Sequence, residues 1–258
     1  MQTVLSFDLE SNFGFFKKPD INDNKRAPYL TYNILHKPAL LGILGAIIGL
    51  KGFERRGELP EYYQQLKHLQ TGIQPLNHQQ GNFTKTLVKY NNSVGYASQE
   101  EGGNLIVTET MLIRPAYRCY VALNTAHEPE AKLHKYLLNQ QAEFIPYLGK
   151  NEFTAWWQNV QEYPYQPFNA QANFKLLNLF QKPVLDSAVS KIIIQASGRN
   201  YSETRDLFLY FERLPSAYDE ILLQYTLSDY VFTNALFPKE TSFPGLFALS
   251  ATEAVQLN

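Results

Sequence analysis

From Pro38 to Leu50 the chain carries no charged or polar side chain, only Ala, Leu and Ile after the proline, interrupted by Gly42, Gly45 and Gly49. A helix that is apolar on every side has no face to give to water, and this run falls well short of the roughly 20 residues a bilayer span needs. It therefore has to be enclosed by other elements, with the glycines allowing close packing on a sheet. A chain of 258 residues can supply that enclosure, as one large domain or two small ones at roughly 100 to 200 residues each. Its 45% apolar and 18% charged residues exclude a disordered, collagenous or coiled-coil chain.

Around this helix the periodicity alternates. Thr3–Leu9 reads as a strand, with Leu5, Phe7 and Leu9 at period two. Residues 12–33 form a loop too long to be a passive connection, mixing Lys17, Lys18, Lys25 and Arg26 with Phe13, Phe15, Phe16, Tyr29 and Tyr32. Pro38 sits where a first helical turn tolerates it, and Glu58–Leu69 reads as a second, more polar helix. Strands are expected at Phe83–Tyr90, Leu105–Ile113 and Tyr117–Leu123. The last two are expected to pair as a hairpin around Arg114-Pro115-Ala116, with Arg118 and Tyr120 on its outward face. Pro129–Gln141 reads as a helix with Leu133 and Leu137 one turn apart. The order strand, helix, strands, helix predicts an α+β, ferredoxin-like βαββαβ domain over residues 1–155. Residues 156–258, with strand candidates at Lys191–Gln195 and Leu207–Phe211, are expected to form a smaller β-rich region.

Most familiar chemistries are missing. Neither glycine-rich nucleotide motif has the spacing found at Gly42, Gly45 and Gly49, and the five histidines never fall at a metal-ligand spacing with another donor. No metal or other cofactor is expected. Cys119 alternates with apolar residues and reads as a buried, inert thiol. It is the only cysteine; with no leader-like start and no membrane span, the expectation is a cytoplasmic protein. A general acid and base assembled from Tyr, His and Lys remains open. The net charge of -1 offers no general field for nucleic acid. Residues 1–60 nevertheless hold eight basic and six acidic side chains, against four and eight in residues 199–258, so the acidic end is expected to face protein or solvent.

Two segments suggest binding. His36 and Lys37 precede Pro38 at the start of the apolar helix, where free amides and the helix dipole favour phosphate; an ordinary solvated helix start is the alternative. Pro146-Tyr-Leu-Gly-Lys-Asn-Glu-Phe153 places Gly149 at a tight turn and Lys150 where it could meet phosphate, or else is a plain connecting loop.

Taken in order, the strand Val4–Leu9, the basic aromatic loop, Lys37–Gly49 and Pro146–Phe153 resemble the fifth CRISPR-associated family over residues 1–155. These are RAMP-superfamily subunits of type I Cascade complexes that cap the 5′ handle of the guide RNA. Asn151-Glu152-Phe153 after Gly149-Lys150 is similar to the I-B subtype. The resemblance implies an RRM-like fold with a projecting β-hairpin thumb and a glycine-rich loop at the RNA. It also implies a noncatalytic cap, partnered by guide RNA, by the repeated backbone subunit and the large subunit, and indirectly by target DNA. The I-C branch instead processes precursor RNA as a metal-independent endoribonuclease, and no match to its tyrosine, lysine and histidine set is found here. A metabolic enzyme on a ferredoxin-like scaffold is a third reading, resting only on the versatility of that fold. The candidate RNA contacts are Phe15, Lys17, Lys18, Lys25, Arg26, Tyr29, Tyr32, His36, Lys37, Arg118, Tyr147, Gly149, Lys150 and Asn151. The basic loop, the helix start and the glycine-rich loop are expected to form one site.

Overall fold

A computed structural model describes residues 2–19, 28–92, 105–182, 207–241 and 243–258. In chain order the elements begin with β1 (Gln2–Ser11) and the short strands β2 (Phe13–Gly14), β3 (Phe16–Lys17) and β4 (Thr31–Tyr32). The helices α1 (Lys37–Ile48) and α2 (Glu61–Leu66) follow, then β5 (Thr71–Leu76), β6 (Lys85–Asn92), β7 (Leu105–Ile113), β8 (Ala116–Asn124) and α3 (Glu128–Leu138). The remainder is β9 (Ala155–Pro164), β10 (Phe174–Leu176), β11 (Phe180–Gln181), β12 (Leu209–Asp219), β13 (Gln224–Thr233), β14 (Leu236–Phe237), β15 (Leu246–Ala248) and β16 (Glu253–Gln256).

The apolar run is the buried helix its composition requires. Leu40, Leu41, Leu44 and Ile47 are wholly inaccessible, each worth about 1.5–3 kcal/mol of apolar burial. Gly45 is needed where α2 crosses, because a β-carbon there would lie 2.4 Å from the Tyr62 Cβ. The helix stops at Gly49, whose φ of 85° suits glycine. Pro60 caps α2, which is shorter than the Glu58–Leu69 span expected for it.

The main sheet has the order β5-β8-β1-β9, antiparallel throughout. Numbered by their place in the βαββαβ order, these are strands two, three, one and four, the arrangement of a ferredoxin-like sheet. Leu5, Phe7 and Leu9 face the core with Cys119 and Val121. Burial raises the Cys119 thiol pKa, so the thiol stays protonated. The fourth strand, β9, carries this sheet to Pro164, beyond the expected boundary at residue 155. Leu179, Leu214 and Phe232 from the later region join the same core as α1.

The expected hairpin between Leu105–Ile113 and Tyr117–Leu123 does not form. β7 pairs with β6 in the register Leu87↔Thr110 and Lys89↔Thr108, whereas β8 pairs with β1 and β5. Residues 114 and 115 make a corner between two sheets: Arg114 has a φ of 47°, its amide donates to the Asn12 carbonyl, and Pro115 has no amide to continue a ladder. The inserted hairpin is therefore β6–β7, between the second and third strands of the main sheet. Phe13↔Ile113 pairing adds β2 to its other edge.

Among the described residues the C-terminal region is all β. Its two small sheets, β14-β10-β16-β15 and β11-β13-β12, are filled by Phe174, Phe180, Phe237 and Phe243. Phe247, Val255 and Leu257 pack onto Val4, Tyr120 and Ala122 on the sheet face away from the helices. The strand expected at Lys191–Gln195 lies outside the described residues, and Leu207–Phe211 runs into the longer β12. No described helix is long and apolar enough to cross a membrane.

Candidate nucleic-acid interface

Pro146–Phe153 folds on itself and onto the aromatic loop. The Leu148 amide donates to the Phe153 carbonyl at 2.9 Å, and the Phe153 amide to the Lys150 carbonyl at 2.9 Å. Gly149 has a φ of 87°, and a β-carbon on it would lie 1.8 Å from the Phe15 carbonyl oxygen. The Phe15 amide donates to the Leu148 carbonyl at 3.1 Å. Two segments far apart in sequence thus meet backbone to backbone, which only glycine permits.

The aromatic loop is in turn fastened to the inserted hairpin. The Tyr29 amide donates to the Thr108 carbonyl at 2.9 Å, and the Thr110 amide to the Tyr29 carbonyl at 2.8 Å. The Thr31 amide donates to Thr110 Oγ1 at 2.8 Å, while β3 and β4 pair through Phe16↔Tyr32. Loop, hairpin and glycine-rich turn form one unit. Its surface carries partly exposed Phe13, Tyr29, Tyr90 and Tyr147 and the exposed Lys17, Lys89 and Asn151. The Lys17 ammonium sits 3.8 Å over the centre of the Tyr29 ring.

Lys150 does not project into solvent. Its ammonium pairs with the Glu109 carboxylate and donates to Tyr90 Oη at 3.2 Å. It lies 5.1, 4.9 and 6.0 Å from the ring centres of Phe15, Tyr90 and Phe153. Burial alone would lower its pKa, but hydrogen bonds to Glu109 and Tyr90 hold it above the ordinary lysine value.

Other expected contacts are engaged elsewhere. Lys18 pairs with Glu212 at 3.3 Å, and the Glu212 carboxylate also accepts the amides of Asn33 at 3.0 Å and Ile34 at 3.2 Å. Glu212 thus sits against the basic loop, an exception to the expectation that the acidic end faces protein or solvent, whereas Glu220 and Asp229 are exposed. Tyr32 is buried. His36, expected at phosphate, is also buried and caps α1, its Nδ1 accepting from the Ala39 amide at 3.3 Å. Burial pushes its pKa down to about 3, so the ring is neutral. Lys37 turns away from the loop to donate to the Asn258 carbonyl at 2.8 Å, and burial lowers its pKa. The helix start therefore packs beneath the aromatic loop, with the His36 ring 5.9 and 5.5 Å from those of Phe16 and Tyr32, and presents neither a charged His36 nor an unengaged Lys37.

Arg118 lies in the main sheet rather than on the hairpin. It donates to both Asp8 oxygens, at 2.6 and 2.9 Å, and Asn159 donates to the same carboxylate at 2.9 Å. Lys25 and Arg26 lie outside the described residues. Phe13, Tyr90 and Glu109 were not among the sequence candidates. Glu109 had a readable signal as the single charge in Leu105–Ile113, a strand position that implies a buried partner.

No family model and no curated relative matches the chain. Among solved structures, it is similar at 12% identity to a chain of a CRISPR RNA-guided surveillance complex, covering 90% of this chain and 91% of the other, with a TM-score of 0.45. A chain of a type III-B Cmr-beta complex bound to cognate target RNA and AMPPnP is 12% identical over 92% and 86% of the two chains, with a TM-score of 0.46. A CRISPR protein from Archaeoglobus fulgidus is 15% identical over 95% and 88%, with a TM-score of 0.40.

Proposed function

We propose that this chain is a noncatalytic RNA-binding subunit of a type I CRISPR surveillance complex, of I-B character, acting in the cytoplasm. It holds the 5′ handle of the guide RNA and contacts the repeated backbone subunit and the large subunit, while base pairing by the guide reads target DNA. The observation that carries the reading is the meeting of Gly149 with Phe15. It joins two of the segments whose sequence resembles the fifth CRISPR-associated family, and the unit so formed bears the exposed Tyr29, Tyr90 and Tyr147 and Lys17 over the Tyr29 ring. Exposed rings beside cations suit unpaired bases and their phosphates, each stacked base contributing about 1–3 kcal/mol.

The noncatalytic reading is favoured over endoribonuclease action by the state of His36, the histidine packed against Phe16 and Tyr32 of the aromatic loop. Tyr32 and His36 are buried, and Lys18 is paired with Glu212. A neutral, inaccessible His36 has no route for proton exchange with a bound phosphodiester. The test is incubation of purified protein with cognate repeat RNA without metal. Binding in the nanomolar to micromolar range with the RNA recovered intact is expected. Specific cleavage that is lost on replacing one Tyr, His or Lys establishes the endoribonuclease instead, and a tightly held small metabolite with no RNA affinity establishes a metabolic enzyme.

A further inference from the structure

We propose that Lys150 is a positioning residue and not a phosphate ligand: with Glu109 it latches the glycine-rich turn to the inserted hairpin and so sets the spacing of the exposed rings. The inference rests on the RNA-binding reading above and assigns the roles of two residues within that surface.

Glu109 is 3% exposed and projects from β7, while Lys150 follows the glycine whose backbone is pressed against Phe15. The pair therefore ties the turn directly to the hairpin. An ammonium has three donors, of which Glu109 and Tyr90 take two, and the faces of Phe15, Tyr90 and Phe153 surround the remainder. A phosphate approaching this lysine would meet the Glu109 carboxylate, whose like charge opposes it. Conversely, withdrawing the lysine strands a buried carboxylate. Tyr29 hangs on the same hairpin through Thr108 and Thr110, so movement of β7 relative to the turn changes the distance between Tyr29 and Tyr147.

The two roles predict opposite signs for one substitution. If Lys150 binds phosphate, Glu109→Gln frees it and tightens RNA, while Lys150→Met flattens the plot of log affinity against log salt by about 0.7 for the lost single-strand contact. If the pair is a latch, both variants weaken handle-RNA binding by a similar factor, at least about threefold. The salt slope then stays unchanged, and the double variant is no weaker than either single one. Amide hydrogen exchange on RNA-free protein gives an independent readout, with faster exchange expected at Tyr29, Thr110 and Phe153 in both variants. Tighter binding by Glu109→Gln, a flattened slope in Lys150→Met, or unchanged exchange in both overturns the latch. Absence of RNA binding by the unsubstituted protein overturns the RNA reading, and the exchange measurement then decides the latch alone.

Discussion

The carbonyl oxygen of Phe15 occupies the place where a β-carbon on Gly149 would lie, at 1.8 Å. Any side chain at Gly149 must push apart the aromatic loop and the glycine-rich turn, and would also be strained by a φ of 87°. Gly149→Ala is therefore expected to cost about 2–4 kcal/mol of stability and to weaken RNA binding more than that loss alone implies. Thermal unfolding and RNA titration at a temperature where the variant is folded check both parts. Unchanged stability would mean that the two backbones do not meet as described.

His36 sets an acid limit. Its pKa is about 3 in the folded chain against an ordinary 6.5, so below pH 6.5 the unfolded chain takes up a proton that the folded one refuses. The contribution is fully present above about pH 6.5 and is lost as pH falls toward 3, by up to ~1.4 kcal/mol per pH unit. His36→Asn keeps an oxygen for the Ala39 amide and removes the titration. Its stability is expected to fall less steeply between pH 6.5 and 4 in denaturant titrations, and an identical slope would contradict the assignment.

Arg118 and Lys37 are expected to matter for folding and not for RNA. Arg118→Ala strands the buried Asp8 carboxylate, costing about 2 kcal/mol. Lys37→Ala loses the tie to Asn258. Neither should change the salt dependence of RNA binding, whereas Lys17→Ala should flatten it by about 0.7. A flattened slope in Lys37→Ala would place the start of α1 in the RNA site.

What was legible in the sequence followed from local pattern. Period two in β1 and the wholly apolar α1 survive any tertiary context, and with α3 they fix a ferredoxin-like order. β5 was hidden because Gly72 and Pro75 break its alternation. Pro75 is tolerated at the end of the sheet, and Gly72 lets Asn178 approach, 2.6 Å from where a β-carbon would sit. Arg114-Pro115 reads locally as a hairpin turn and is a corner between two sheets, a difference that depends on partners elsewhere. The site was legible in its chemical types but not in its pairings. His36, Lys37, Arg118 and Lys150 are engaged by Ala39, Asn258, Asp8 and Glu109, and apart from the local cap these partners are set by the fold. Glu212 on Lys18 is the same case.

The most direct test of the central claim is photocrosslinking of the protein to handle-bearing guide RNA without metal, with crosslinked peptides and RNA ends both mapped. The account predicts crosslinks at Tyr29, Tyr147, Tyr90 and Phe13, with the RNA intact. Crosslinks concentrated on residues 207–258, or RNA recovered cut at one position, would contradict it.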